Sequence, residues 1–157
     1  MSYKYFMDAN VLSTSKVKAT IETDFFKANC IVLDEIAYEL QGTSIGDSLQ
    51  RLAQSTDIDT LKRLGGIIDD LVRLSILQTD HGNGDALLIA AALSLKEGAG
   101  GQGQFSFMQD QPVIVTDEKL VDVYAKKRGL DAISGDEFMK IFSAVGDGHE
   151  GVVVKQD

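Results

Sequence analysis

Four short apolar runs punctuate the chain, at residues 3–7, 30–33, 113–116 and 130–134, and the stretches between them carry apolar residues at helical spacing. Runs of that length read as buried strands, and their alternation with helical patterns predicts an α/β protein with a parallel central sheet. A helix is expected within residues 11–26. Asp34 is placed to cap a second over residues 35–41, with Gly42 stopping it. Leucines at helical spacing over residues 45–73 predict two helices joined near residues 55–57, lying as a flap on the sheet, and residues 74–77 read as a short strand. Residues 85–95 are almost wholly apolar, with Ala90, Ala91 and Ala92 at the centre, so a helix buried on most sides is expected. The Gly- and Gln-rich residues 98–104 read as a surface loop: they lack the Lys-Ser or Lys-Thr of a phosphate-cradling loop. Pro112 is expected to open the late strand, where its missing donor is harmless. Further helices are predicted over residues 119–128, ended by Gly129, and over 135–145. Residues 1–146 form one expected domain and 147–157 a tail.

At 157 residues the chain can bury a core without disulfides. Its formal charge, 15 − 24 = −9, excludes a protein that coats nucleic acid or an anionic membrane by basicity alone. It does not exclude a nuclease whose acids carry metal. The single cysteine, Cys30, heads an apolar run and reads as a buried strand thiol, and no signal peptide or bilayer-length apolar stretch is seen, so a reduced, cytoplasmic protein without a membrane is expected.

The chemistry-bearing residues are carboxylates. The first strand ends in Asp8 and the late one in Asp117 and Glu118; as parallel neighbours they would emerge together at the carboxyl edge of the sheet, where open α/β sheets build sites and where clustered acids attract divalent metal. Alternation turns one of Asp117 and Glu118 inwards, and either can be the inward one. Glu39 falls about 60° from Ile36 around its helix, at the border of the buried face, with Glu35 nearer solvent. Asp85 opens the apolar helix, where it also favours the helix dipole. Asp69, Asp70 and Asp122 read as solvated helix positions. His81 and His149 have no partners at zinc spacing, and no Gly-x-Ser-x-Gly turn is present.

Four segments in this order resemble the PIN-domain ribonuclease family, including toxin-like relatives of the VapC type. They are Phe6-Met7-Asp8-Ala9-Asn10-Val11-Leu12, Ile36-Ala37-Tyr38-Glu39-Leu40, Gly84-Asp85 followed by the Ala-rich helix, and Val115-Thr116-Asp117-Glu118 leading to Gly129-Leu130. The likeness covers roughly residues 3–140 and departs at Glu118, where the family carries Asp. It implies a three-layer α/β/α fold with four to five parallel strands. It also implies a catalytic set of Asp8, Glu39, Asp85 and Asp117, with Glu118 as a further ligand, holding one or two Mg²⁺ or Mn²⁺ ions for RNA hydrolysis. Asn10, Lys16 and Lys119 are the candidate substrate contacts, with Lys18 beside them. An antitoxin protein and a homodimer are the partners implied besides RNA. A non-catalytic version of the same fold is the main rival. A phosphatase of the haloacid dehalogenase type would need a second acid where this chain has Asn10.

Overall fold

The computed structural model describes residues 2–74, 84–100 and 110–146. Strand β1 (Tyr3–Met7) pairs in parallel with β2 (Cys30–Ile31) on one side and with β3 (Gln111–Val115) on the other; β4 (Asp131–Ile133) adds beyond β3, giving the order β2-β1-β3-β4. The α/β class and the parallel sheet are as the apolar pattern predicts. The second run is shorter than expected. Only Cys30 and Ile31 join the ladder, while Leu33 bridges to Gln54. Pro112 is the second residue of β3 rather than its first, opposite Lys4.

Residues 11–26 hold the helix expected there, but as one of several short pieces. They fall into α1 (Ala9–Leu12), α2 (Ser15–Lys18) and the start of α3 (Asp24–Asn29). Threonine hydroxyls compete for the backbone at the breaks: Thr14, Thr20 and Thr23 donate to the carbonyls of Val11, Val17 and Thr20 at 2.8, 2.7 and 2.6 Å. Helix α4 (Asp34–Glu39) begins one residue before the predicted start. Its N-cap is Leu33, which makes no side-chain cap, and Asp34 is its first residue, giving its N–H to the Gln54 carbonyl at 2.9 Å. Gly42 follows this helix at φ 86°, and Gly129 follows α8 (Lys119–Lys127) at φ 82°. At the latter the Leu130 N–H reaches the Ala125 carbonyl and the Gly129 N–H that of Lys126, both at 3.0 Å, the paired closure that a glycine in the left-handed region permits.

The two predicted middle helices are α5 (Gly46–Leu52) and α6 (Ile58–Arg73), the latter capped by Asp57 accepting from the Thr60 N–H at 2.8 Å. Gly65 and Gly66 lie mid-helix, where each is about 1 kcal/mol less favourable than alanine; a Cβ on either would meet nothing within 4 Å. Helix α6 packs on α7 (Gly84–Gly100), whose residues 86–93 are all buried. Contrary to the loop reading, α7 continues through Gly98 to Gly100; the rest of that stretch, the proposed strand after Leu74, both histidines and the tail lie outside the described residues.

Alternation along β1 divides the core. Phe6 faces α7, sharing a cavity wall with Ala91 and Leu95, whereas Tyr5 turns to the other face, edge-on to Phe138 of α9 (Gly135–Gly146) at 5.7 Å and beside Phe25 of α3. The sheet is thus covered on both faces, in three layers. Asp70 is not merely solvated: it accepts from the Tyr124 hydroxyl at 2.7 Å and pairs with Arg73 and Arg128, tying α6 to α8. Cys30 is buried as expected, and burial pushes its thiol well above the ordinary range. Among the described residues no helix is long and apolar enough to cross a membrane.

Candidate active site

The strand order reverses direction between β1 and β3: the chain leaves β1 for one neighbour, then crosses to the other side for β3 and β4. In a parallel sheet the crevice at such a switch opens beyond the carboxyl ends of the strands. Asp8 follows β1 at that point, and Thr116 follows β3.

Asp8 is buried and fixed from several directions. Its N–H extends the ladder to the Val115 carbonyl at 3.0 Å. Its Oδ1 accepts from the Ala9 N–H at 2.7 Å, capping α1, and its Oδ2 accepts from the Thr116 hydroxyl at 2.7 Å. Burial raises its pKa, an effect opposed by the Thr116 and Ala9 hydrogen bonds and reinforced by the charges of Glu118 and then Asp117. Thr116 was not among the sequence candidates. It lies at the end of an apolar run, and its only signal was a hydroxyl at a position the pattern assigns to the core. The same hydroxyl oxygen accepts from the Glu118 N–H at 3.1 Å, so one side chain sets both strand-end acids.

Asp85, second in α7, meets Asp8 from above. Burial pushes its carboxyl up to about 7, with the charges of Asp8, Glu118 and Glu39 and a hydrogen bond with Asp8 adding to the rise. The pair therefore holds a proton well above the range of a free aspartate. Glu39 reaches this pair from the end of α4. Its surface is exposed, and it is Glu35, expected nearer solvent, that is half-buried. Even so, the Glu39 carboxyl folds inward against Gly84 and accepts the Gly84 N–H; desolvation raises its pKa, followed by the charges of Asp8 and Glu35. A Cβ on Gly84 would lie 2.6 Å from Glu39 Oε1 and 2.9 Å from Ile36 Cδ1. Glycine there is what lets α7 begin against α4, a second residue that sequence reasoning missed.

The two late acids part company. Glu118 occupies the N-cap of α8 and its charge bears on both Asp8 and Asp85. Asp117 points to α9, accepting the Gly135 N–H at 2.8 Å, and lines a cavity of about 340 Å³ with Lys16, Thr14, Asp136 and Met139. Lys16 and Lys119 are exposed, as is Asn10 on α1.

Asp8, Asp85, Glu39 and Glu118 therefore sit within electrostatic reach of one another. Among the described residues no three acid, histidine or cysteine side chains converge tightly enough to form a ready cage for an ion. The donor set is oxygen only, which suits a hard divalent cation such as Mg²⁺ or Mn²⁺. The raised pKa values mark where positive charge is wanted, and in that sense the residues fit such an ion.

No protein-family model and no curated protein matches this chain. Among solved structures, that of a DNA-bound VapBC from Salmonella typhimurium is similar over 85% of this chain and 98% of its own, at 12% sequence identity and a TM-score of 0.44. The chain is a parallel α/β protein whose acids gather at the switch point of its sheet.

Proposed function

We propose that this chain is a metal-dependent ribonuclease of the PIN-like kind, hydrolysing RNA phosphodiester bonds at the Asp8–Asp85 centre. The observation that carries the reading is the hydrogen-bonded pair of acids from β1 and α7, with Glu39 and Glu118 in electrostatic reach, at the carboxyl edge of a parallel sheet. Asp8, Asp85, Glu118 and Glu39 are the residues that would hold Mg²⁺ or Mn²⁺. A bound ion of that kind supplies the charge that acidifies a water and neutralises the phosphate. The chain's own part is positional. The Ala9 N–H and Thr116 hydroxyl hold the two oxygens of Asp8 in place. In the empty site burial and the neighbouring acids keep a proton on Asp85 up to about 7, and an ion bound there would displace it. Lys16, beside the Asp117 cavity, is the candidate contact for a substrate phosphate, with Asn10 and Lys119 exposed nearby.

The test is cleavage of single-stranded and structured RNA by the purified protein in Mn²⁺ and in Mg²⁺, with Asp8→Asn as control. Cleavage by the wild type and its loss in the variant are expected. Equal activity in both, or none in either, sinks the reading. On the sequence resemblance it extends to a toxin restrained by an antitoxin protein. Induced expression should then arrest growth, and Asp8→Asn should not.

A further inference from the structure

Helices α2 and α9 lie side by side next to the acid centre, and the cavity of about 340 Å³ between them is of a size that takes a small ligand. Buried Val17 and half-buried Met139 give it an apolar part; Ser15 and Lys16 of α2 and Asp136 of α9, all exposed, give it polar groups. It borders the centre, because Asp117 also lines it and the Asp117 charge bears on Asp8. An acid in the first turn of α9 is ordinarily explained by the helix end. Here others serve that end: Asp117 accepts the Gly135 N–H at 2.8 Å, and Glu137 accepts from the Ser134 N–H and hydroxyl, both at 3.2 Å. Among the described residues the side chains of Asp136, Lys16 and Ser15 make no hydrogen bond or ion pair. An acid and an ammonium thus line one cavity, each uncommitted.

Resting on the nuclease reading, we propose that this cavity holds an unpaired guanosine beside the bond to be cut, with Asp136 reading its base. The choice among bases follows from hydrogen-bonding capacity. An ionised carboxylate only accepts. On the Watson–Crick edge of a splayed-out base, guanine presents two adjacent donors, N1–H and N2–H, which the two carboxylate oxygens take together. Adenine and cytosine set a ring-nitrogen acceptor beside their amino group, and uracil flanks its N–H with two carbonyls, so each turns a lone pair on the acid and is rejected. The Ser15 hydroxyl is free to donate to guanine O6, an acceptor that adenine lacks. Lys16 keeps the phosphate of the same nucleotide, and the Met139 thioether offers a polarisable surface to the ring. The base must be unpaired, since in a duplex this edge is taken by its partner.

Titration of the full chain with GMP, AMP, CMP and UMP, followed by amide NMR, tests this without any cleavage. GMP should bind at least about tenfold more tightly than the other three and shift the amides of Lys16, Asp136 and Met139. Asp136→Asn, on an exposed helix turn, should melt like wild type yet lose that preference, and AMP should gain on GMP because a carboxamide donates as well as accepts. Lys16→Gln should weaken all four alike and leave their order unchanged. Equal binding of the four nucleotides, no binding at millimolar concentration, or a GMP preference that survives Asp136→Asn overturns the proposal. Failure of the nuclease reading shows elsewhere, as absence of RNA cleavage in Mn²⁺, whereas the preference is measured on nucleotides that are not cut.

Discussion

Asp8 and Asp85 share a hydrogen bond across the top of the sheet, one residue ending β1 and the other opening α7. Two carboxyls so close cannot both ionise cheaply without a counter-charge, and the pair holds a proton at pH values where free aspartates are bare. The folded chain thus binds more protons than the unfolded chain between an ordinary aspartate pKa, 3.8, and about 7. Stability falls as pH rises through that window. Asp85→Asn removes the titration. It should stabilise the metal-free protein at pH 8 by about 1–3 kcal/mol, a range discounted for the solvent that reaches this side chain, and by little at pH 4. Urea unfolding of both proteins at the two pH values checks this; an unchanged difference between them counts against the shared proton.

Gly84 is packed against Glu39 and Ile36. Gly84→Ala should destabilise the fold by about 1–3 kcal/mol, as overpacking does, and drive the Glu39 carboxyl out of the site. Adding Glu39→Ala should return part of that loss, since the nearest obstacle is then gone. Equal losses in the single and double variants, by urea melts, would place the strain elsewhere.

Thr116→Val keeps the shape and removes the hydroxyl that serves both Asp8 and the Glu118 N–H. A cost of about 1–3 kcal/mol is expected from the buried groups left unpaired, with the Asp8 pKa moving further up. Thr116→Ser should recover most of both. Carboxyl titration by NMR reads the pKa, and a Val variant that titrates like wild type would remove Thr116 from its positioning role.

The two late acids should separate in experiment. Asp117→Asn weakens the cap on α9 and is expected to cost about 1 kcal/mol of stability with Mn²⁺ affinity nearly retained. Glu118→Gln should do the opposite, since its charge bears on both Asp8 and Asp85. Calorimetry with Mn²⁺ beside thermal melts decides between them.

What the sequence made legible follows from how local each cause is. The runs at residues 5–7 of β1 and 86–93 of α7 declare themselves, because burial on both sides leaves no charged residue there to confuse the period. Gly42 and Gly129 could be read as helix stops because a positive φ has few alternatives. The three short helices after β1 could not, since threonine hydroxyls compete with the helix ladder through side-chain geometry that a hydrophobic pattern does not record. In the site, Asp8, Glu39 and Asp85 were each nominated from position, and the structure brings them within reach of one another. The choice between Asp117 and Glu118 was invisible, because it depends on where β3 ends and on the Gly135 N–H arriving from a distant turn. Thr116 and Gly84 act through contacts made only after folding.

The hydrogen bond between Thr116 and Asp8 joins residues 108 positions apart. A ribosome that has made Asp8 must add 108 more residues before its partner exists. Until then the first strand ends in an acid that lacks both its hydroxyl donor and the charge of Glu118. On the proposed function, the nascent chain is harmless to the message that encodes it until β3 emerges and takes its place beside β1.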